Sequence, residues 1–116
     1  MMRMTQQEHK ESYYQTKIME WLKKEYPAAF IWKAAAGPYS QGGIPDICAI
    51  IDGKFYGFEV KRPKGGRLSH LQEQAIKKIN AAGGIAAVVS FPSEVQKIIE
   101  GGNGNEQVEN PETIKK

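Results

Sequence analysis

The segment Ile47-Cys-Ala-Ile-Ile51, Asp52-Gly53, Lys54-Phe-Tyr-Gly-Phe-Glu-Val-Lys61 constrains this chain more than any other. Asp-Gly between two apolar, strand-forming runs signals a two-residue hairpin, because both central residues of that turn need positive φ. A turn of that length sets the register. Ile51 faces Lys54, and every further facing pair has residue numbers that sum to 105. Asp46 and Glu59 satisfy the sum, so the register predicts two acids opposite each other on neighbouring strands. Facing Cβ atoms lie ~4.5–5.5 Å apart, and bare like charges placed so are destabilising. A divalent cation would compensate them, and ligation by carboxylate oxygens suits Mg2+ or Mn2+. Strand alternation puts Lys61 on the side of Glu59, with Phe58 and Val60 on the other. A metal there can acidify a bound water, and the amine can place that water or stabilise developing negative charge. Such equipment hydrolyses a phosphodiester. Two plainer readings fit the same residues: an Asp46–Lys61 ion pair at a sheet edge, or an Asp46 bonded to local backbone.

The rest of the composition bounds the answer. A chain of 116 residues, 41% hydrophobic and 25% charged, has the size and balance of one globular domain. No apolar run approaches the ~20 residues that span a bilayer. The N-terminal MMRMTQQEHKE is too polar for a signal peptide, so a cytoplasmic location is expected. A lone Cys48 excludes an internal disulfide and offers no zinc cluster, and its strand setting predicts a buried, inert thiol. Net charge is +3, with Lys61, Arg62, Lys64, Arg67 and His70 crowded into ten residues. That cluster is compatible with a nucleic-acid partner and equally with a solvated loop.

Thr5-Gln-Gln-Glu8 has the spacing of a capping box and predicts a helix that runs to Tyr26 and stops at Pro27. Tyr14, Ile18, Trp21 and Leu22 form its apolar stripe, and one turn back the stripe reaches Glu11. Residues 30–36 read as a strand and Gly37–Gly43 as a loop. After the hairpin comes the loop Arg62–Arg67, then a helix over Ser69–Ala82 with Leu71, Ala75, Ile79 and Ala82 on one face. A buried strand from Ile85 to Ser90 follows, reached by a crossover, and a last helix spans Ser93–Glu100. Ser69-x-x-Gln72 and Ser93-x-x-Gln96 both have capping-box spacing. Residues 1–100 are expected to form a single domain, and 101–116, with little to bury, a flexible tail. The predicted fold class is α/β, a small mixed sheet flanked by helices in the order α-β-β-β-α-β-α.

Gly43-Ile-Pro45-Asp46, a spacer of twelve residues and Glu59-Val-Lys61 together resemble the PD-(D/E)XK nuclease superfamily. With Leu68-Ser69-x-x-Gln72 and a Gly83 before an apolar strand, the pattern looks like the VRR-NUC (virus-type replication-repair nuclease) family, over roughly residues 8–100. The resemblance implies a restriction-endonuclease-like core. It implies Asp46 and Glu59 as metal ligands for Mg2+ or Mn2+, the Val60 carbonyl as a further ligand, and Lys61 as the catalytic lysine. It also aligns Glu11 with an acid that the family carries in its first helix. Gln72 is expected near the active site, as a catalytic contributor or as a helix cap. Arg62, Lys64 and Arg67 become candidate phosphate contacts, and Tyr39 could stack on a base or on the protein. The expected function is a metal-dependent DNA endonuclease acting on branched DNA such as four-way junctions, as a homodimer, in a phage or prophage setting. The alternative is a non-catalytic nucleic-acid-binding module that keeps the nuclease fold.

Overall fold

The computed structural model describes residues 8–35 and 42–104. Its elements follow the order α1 (Glu11–Glu25), β1 (Phe30–Lys33), β2 (Ile47–Ile51), β3 (Lys54–Val60), α2 (His70–Ala81), β4 (Ile85–Val89) and α3 (Pro92–Gly104). The strands form one mixed sheet in the order β1-β2-β3-β4. β1, β2 and β3 are antiparallel neighbours, and β4 joins β3 in parallel after the α2 crossover. The hairpin is the one that the Asp-Gly turn requires: Asp52 has φ 51° and Gly53 φ 79°. Its register runs from Ile51↔Lys54 to Ile47↔Phe58.

Alternation divides the sheet into two faces. Ile47, Ala49, Ile51, Tyr56, Phe58, Val60 and Val89 turn to one side, where Tyr14, Ile18 and Leu22 of α1 and Val95 and Ile99 of α3 close the core. The opposite face carries Cys48, Gly57, Glu59 and Ala86, and α2 lies against its β3–β4 half. Cys48 is buried and burial pushes its thiol pKa up, which makes it the inert group expected.

Several boundaries differ from the sequence reading. Residues 8–10 are not helical, and α1 begins at Glu11 after Lys10, which supplies no side-chain cap; Thr5 lies outside the described residues. Trp21 is only partly buried and meets Tyr26 edge-on instead of entering the stripe fully. β1 ends at Lys33 rather than at 36, because its partner β2 begins at Ile47; a single further bond joins the Ala34 amide to the Asp46 carbonyl at 2.8 Å. Leu71 and Ala82 are exposed, and the side that α2 turns toward the sheet is Gln72, Ala75, Ile76 and Ile79. The helix is rotated so that the Gln72 side chain of its capping box, not Leu71, points inward.

Ser69 does cap α2, with both hydrogen bonds of the box present. Ser93 does not cap α3. That helix starts at Pro92, and the Glu94 carboxylate accepts from the Ser90 and Phe91 amides at 2.7 and 3.0 Å instead. α3 also continues to Gly104, past the expected end at Glu100; residues 105–116 of the expected tail lie outside the described residues.

Candidate active site

The candidate site forms where β2 begins and β3 ends. Pro45 is buried over Gly57, the small residue that lets it approach: a Cβ at Gly57 would lie 2.9 Å from the Pro45 ring. This close approach carries Asp46 across to β3. The facing-pair geometry expected for Asp46 and Glu59 is modified there. The ladder stops at Ile47↔Phe58, and the Asp46 carboxylate reaches past Glu59 to accept from the Val60 amide at 2.8 Å. A carboxylate at the start of a strand bonds a free amide more favourably than it faces a second carboxylate.

Glu59 is 1% exposed and is the only charged residue among the buried ones described. Its Oε2 accepts from the Gln72 side-chain amide at 2.7 Å and lies 3.6 Å from the Lys61 ammonium. Its Oε1 is buried with no hydrogen-bond partner. Burial, then the charge of Asp46, push the Glu59 pKa up to about 7, against a downward pull from Lys61. Glu59 therefore feels the charge of Asp46 although the two acids do not face each other in the ladder.

Lys61 shares the face of Glu59 as alternation requires, and its ammonium also lies 3.7 Å from Glu11. The first turn of α1 thus brings Glu11 to the site, as the stripe argument expected. Lys61 is held through its main chain as well: its amide donates to the Val89 carbonyl at 3.0 Å, and its carbonyl accepts from the Ser90 hydroxyl at 2.6 Å. Ser90 is a site residue that sequence reasoning missed, since a serine after a strand carries no signal of what its hydroxyl will meet.

Gln72 caps α2 and also reaches Glu59. Its Oε1 accepts from the Ser69 amide at 2.8 Å, and its Nε2 donates to Glu59. The cap sets the direction of the amide, so the NH2 group and not the carbonyl faces the carboxylate. Arg62, Lys64 and Arg67 are exposed on the loop after β3, where Arg62 turns back to the Gly65 carbonyl at 3.5 Å. Tyr39 lies outside the described residues.

A divalent cation fits this chemistry on one observation. Glu59 Oε1 is a buried carboxyl oxygen lacking a partner, beside a second acid. No group of three His, Cys, Asp or Glu side chains able to hold a metal is assembled among the described residues, so a cation would rest on Asp46, Glu59 and main-chain oxygen unless Glu11 leaves Lys61.

No family model and no curated protein matches the chain. Solved structures do resemble it. One described as a VRR_NUC domain superposes with a TM-score of 0.58 at 22% identity, covering 75% of this chain and 95% of that one. Another, described as a VRR_NUC domain protein, gives a TM-score of 0.59 at 21% identity over 78% of this chain and 88% of its own. The chain has the fold of these VRR_NUC domain structures, a mixed α/β fold as its sequence led one to expect.

Proposed function

We propose that this chain is a VRR-NUC nuclease, an endonuclease that hydrolyses DNA phosphodiester bonds with Mg2+ or Mn2+. The observation that carries the reading is Glu59: a buried carboxylate with one unpartnered oxygen, set beside Asp46 and Lys61 at the open end of a hairpin. Asp46, Glu59 and the Val60 carbonyl would hold the metal, with Glu11 joining from α1. When bound, the ion supplies Lewis-acid charge and a water of lowered pKa. Gln72 engages one oxygen of Glu59 and leaves the other for the ion. The Lys61 ammonium orients the attacking water or balances the charge that grows on the phosphoryl oxygens. Ser90 fixes the main chain from which Lys61 projects. Arg62, Lys64 and Arg67 would meet phosphates flanking the scissile bond, and Tyr39 would add a contact.

A domain this small has little surface for substrate choice. Pairing as a homodimer would give two active sites for a symmetrical branched DNA such as a four-way junction. Phage or prophage replication, recombination or repair in the host cytoplasm is the setting that fits. Among the described residues no helix is long and apolar enough to cross a membrane.

The test is cleavage of labelled single-stranded, duplex, flap and four-way-junction DNA with Mg2+ or Mn2+. Lys61→Ala should lower cleavage by about 10²–10³-fold, the loss typical of one preorganised charge-stabilising group, while binding persists. A variant that cuts as well as wild type would refute the mechanism. One observation favours the second reading, a binding module without catalysis. The Lys61 ammonium lies 3.7 and 3.6 Å from Glu11 and Glu59, so the chain supplies a cation of its own. Thermal melting separates the two. A nuclease site is stabilised by Mn2+ by about 2.7 kcal/mol at a hundredfold excess over Kd, and Asp46→Ala abolishes the gain. A module with an internal cation shows no gain in either protein.

A further inference from the structure

A group of rings bordering the candidate site has no part in hydrolysis. His9, just before α1, stacks on Tyr13 with ring centroids 3.7 Å apart and planes 13° from parallel. The Lys17 ammonium sits 5.6 Å from the centre of the same ring. Tyr13 meets Tyr14 edge-on at 5.2 Å, and Tyr14 meets Phe91 edge-on at 5.9 Å. Tyr14 is buried, whereas Tyr13 and Phe91 are 40% and 45% exposed. The contact of His9 with Tyr14 has the positions of a staple across the helix start, which accounts for Tyr14. It does not account for two further rings left in water beside it.

The rings adjoin the site through two separate chain segments. Tyr14, which both Tyr13 and Phe91 meet, stands one turn after Glu11 on α1, and Glu11 reaches Lys61. Phe91 follows Ser90, whose hydroxyl holds the Lys61 carbonyl. The basic loop Arg62–Arg67 instead leads to α2 on the opposite face of the sheet. The candidate site thus has cations on one flank and aromatic rings on the other. Lys17, exposed, stands four residues after Tyr13 on the same side of the helix, and Lys10, also exposed, is the N-cap residue at the helix start.

Exposed rings interleaved with lysines match the chemistry of an unpaired strand, whose bases stack on aromatic faces while its phosphates meet the cations. A base inside a continuous duplex has both faces already stacked. We propose that His9, Tyr13 and Phe91 form a stacking ledge for an unpaired DNA base beside the scissile phosphate, with Lys10 and Lys17 taking the phosphates of the departing single strand. The His9 imidazole shows that Tyr13 accepts a flat heteroaromatic ring at stacking distance, and a base extends that stack. The inference rests on the nuclease reading and narrows its substrates to DNA with unpaired nucleotides next to the cut, such as flaps, ahead of fully paired four-way junctions.

The probe is a duplex–single-strand junction carrying 2-aminopurine at its first unpaired position, compared with a continuous duplex of the same length, both with Ca2+ in place of Mg2+. Wild type should quench the 2-aminopurine on binding. The Tyr13→Ala/Phe91→Ala double variant alters only exposed rings. It should lose the quench and of the order of tenfold in junction affinity per ring, with duplex affinity unchanged. Tyr13→Trp should keep both. Equal losses on both DNAs, or no loss on either, would overturn the ledge, as would a change of oligomeric state with DNA binding intact. If wild type cuts DNA and the double variant keeps its substrate preference, the ledge alone falls. If wild type neither binds nor cuts any DNA, the nuclease reading falls and takes the ledge with it.

Discussion

Phe58 and Glu59 are neighbours on β3, both almost wholly buried, and they sit in opposite kinds of interior. Phe58 turns to the face that α1 and α3 close, among aliphatic and aromatic side chains, where burial is the source of stability. Glu59 turns to the face under α2, where burial leaves a carboxylate oxygen without a partner and sets the group against Asp46. A strand reverses its side at each residue, so stabilising and destabilising burial lie one position apart. The comparison teaches that the candidate site is maintained by the face behind it: the apolar side contributes the stability that the charged side consumes.

The largest expected effect breaks the apolar side. Phe58→Ala should lower unfolding free energy by about 3–5 kcal/mol, since it removes a fully buried ring from a closed core. Urea unfolding measures it directly. A loss below ~1 kcal/mol would mean that this face is not the packed one.

The next effect belongs to the charged side and has the opposite sign. The Glu59 pKa is pushed up to about 7 from an ordinary value of 4.5, so between those values the native state holds a proton that the unfolded chain has released. Stability from this group is therefore full below pH 4.5 and is lost as pH rises through about 7. The loss is on the order of 3 kcal/mol at 1.36 kcal/mol per pKa unit. Metal-free Glu59→Gln should lack this component. The stability difference between variant and wild type, followed from pH 4.5 to pH 8, should grow in the variant's favour. A flat difference would show that Glu59 is ordinarily charged throughout.

How much of this was legible in the sequence follows from how local each cause is. The Asp52-Gly53 turn sets its register within two residues, so the hairpin and the placing of Glu59 and Lys61 on one side could be read directly. The expected facing of Asp46 and Glu59 fails because the ladder stops at Ile47↔Phe58. Glu11 was reachable because helical periodicity extends a stripe backwards by one turn. The Asp46–Val60 bond was not legible, because it depends on where the ladder ends and on how Pro45 settles over Gly57. Ser90 was invisible for the same reason: its partner lies 29 residues away. The face of α2 was misread because Leu71 is the more apolar residue, yet Gln72 has a partner waiting inside.

The smallest effect sharpens the comparison through two motifs that look alike. Ser69-x-x-Gln72 and Ser93-x-x-Gln96 have the same spacing, but only the first is a capping box, and only Gln72 touches a buried carboxylate. Gln96 bonds Glu100 on an exposed surface. Gln96→Ala should change stability by no more than ~0.5 kcal/mol. Gln72→Ala removes half of a cap and a bond to a carboxylate, for a loss of about 1–2 kcal/mol. The amide donates to the charged form of Glu59, so its removal should also move the Glu59 titration to higher pH. That shift is visible as a displaced midpoint in the pH dependence of stability, a readout that loss of a cap alone would not produce. An unmoved midpoint with the same stability loss would reduce Gln72 to a helix cap and leave Glu59 held by Lys61 alone.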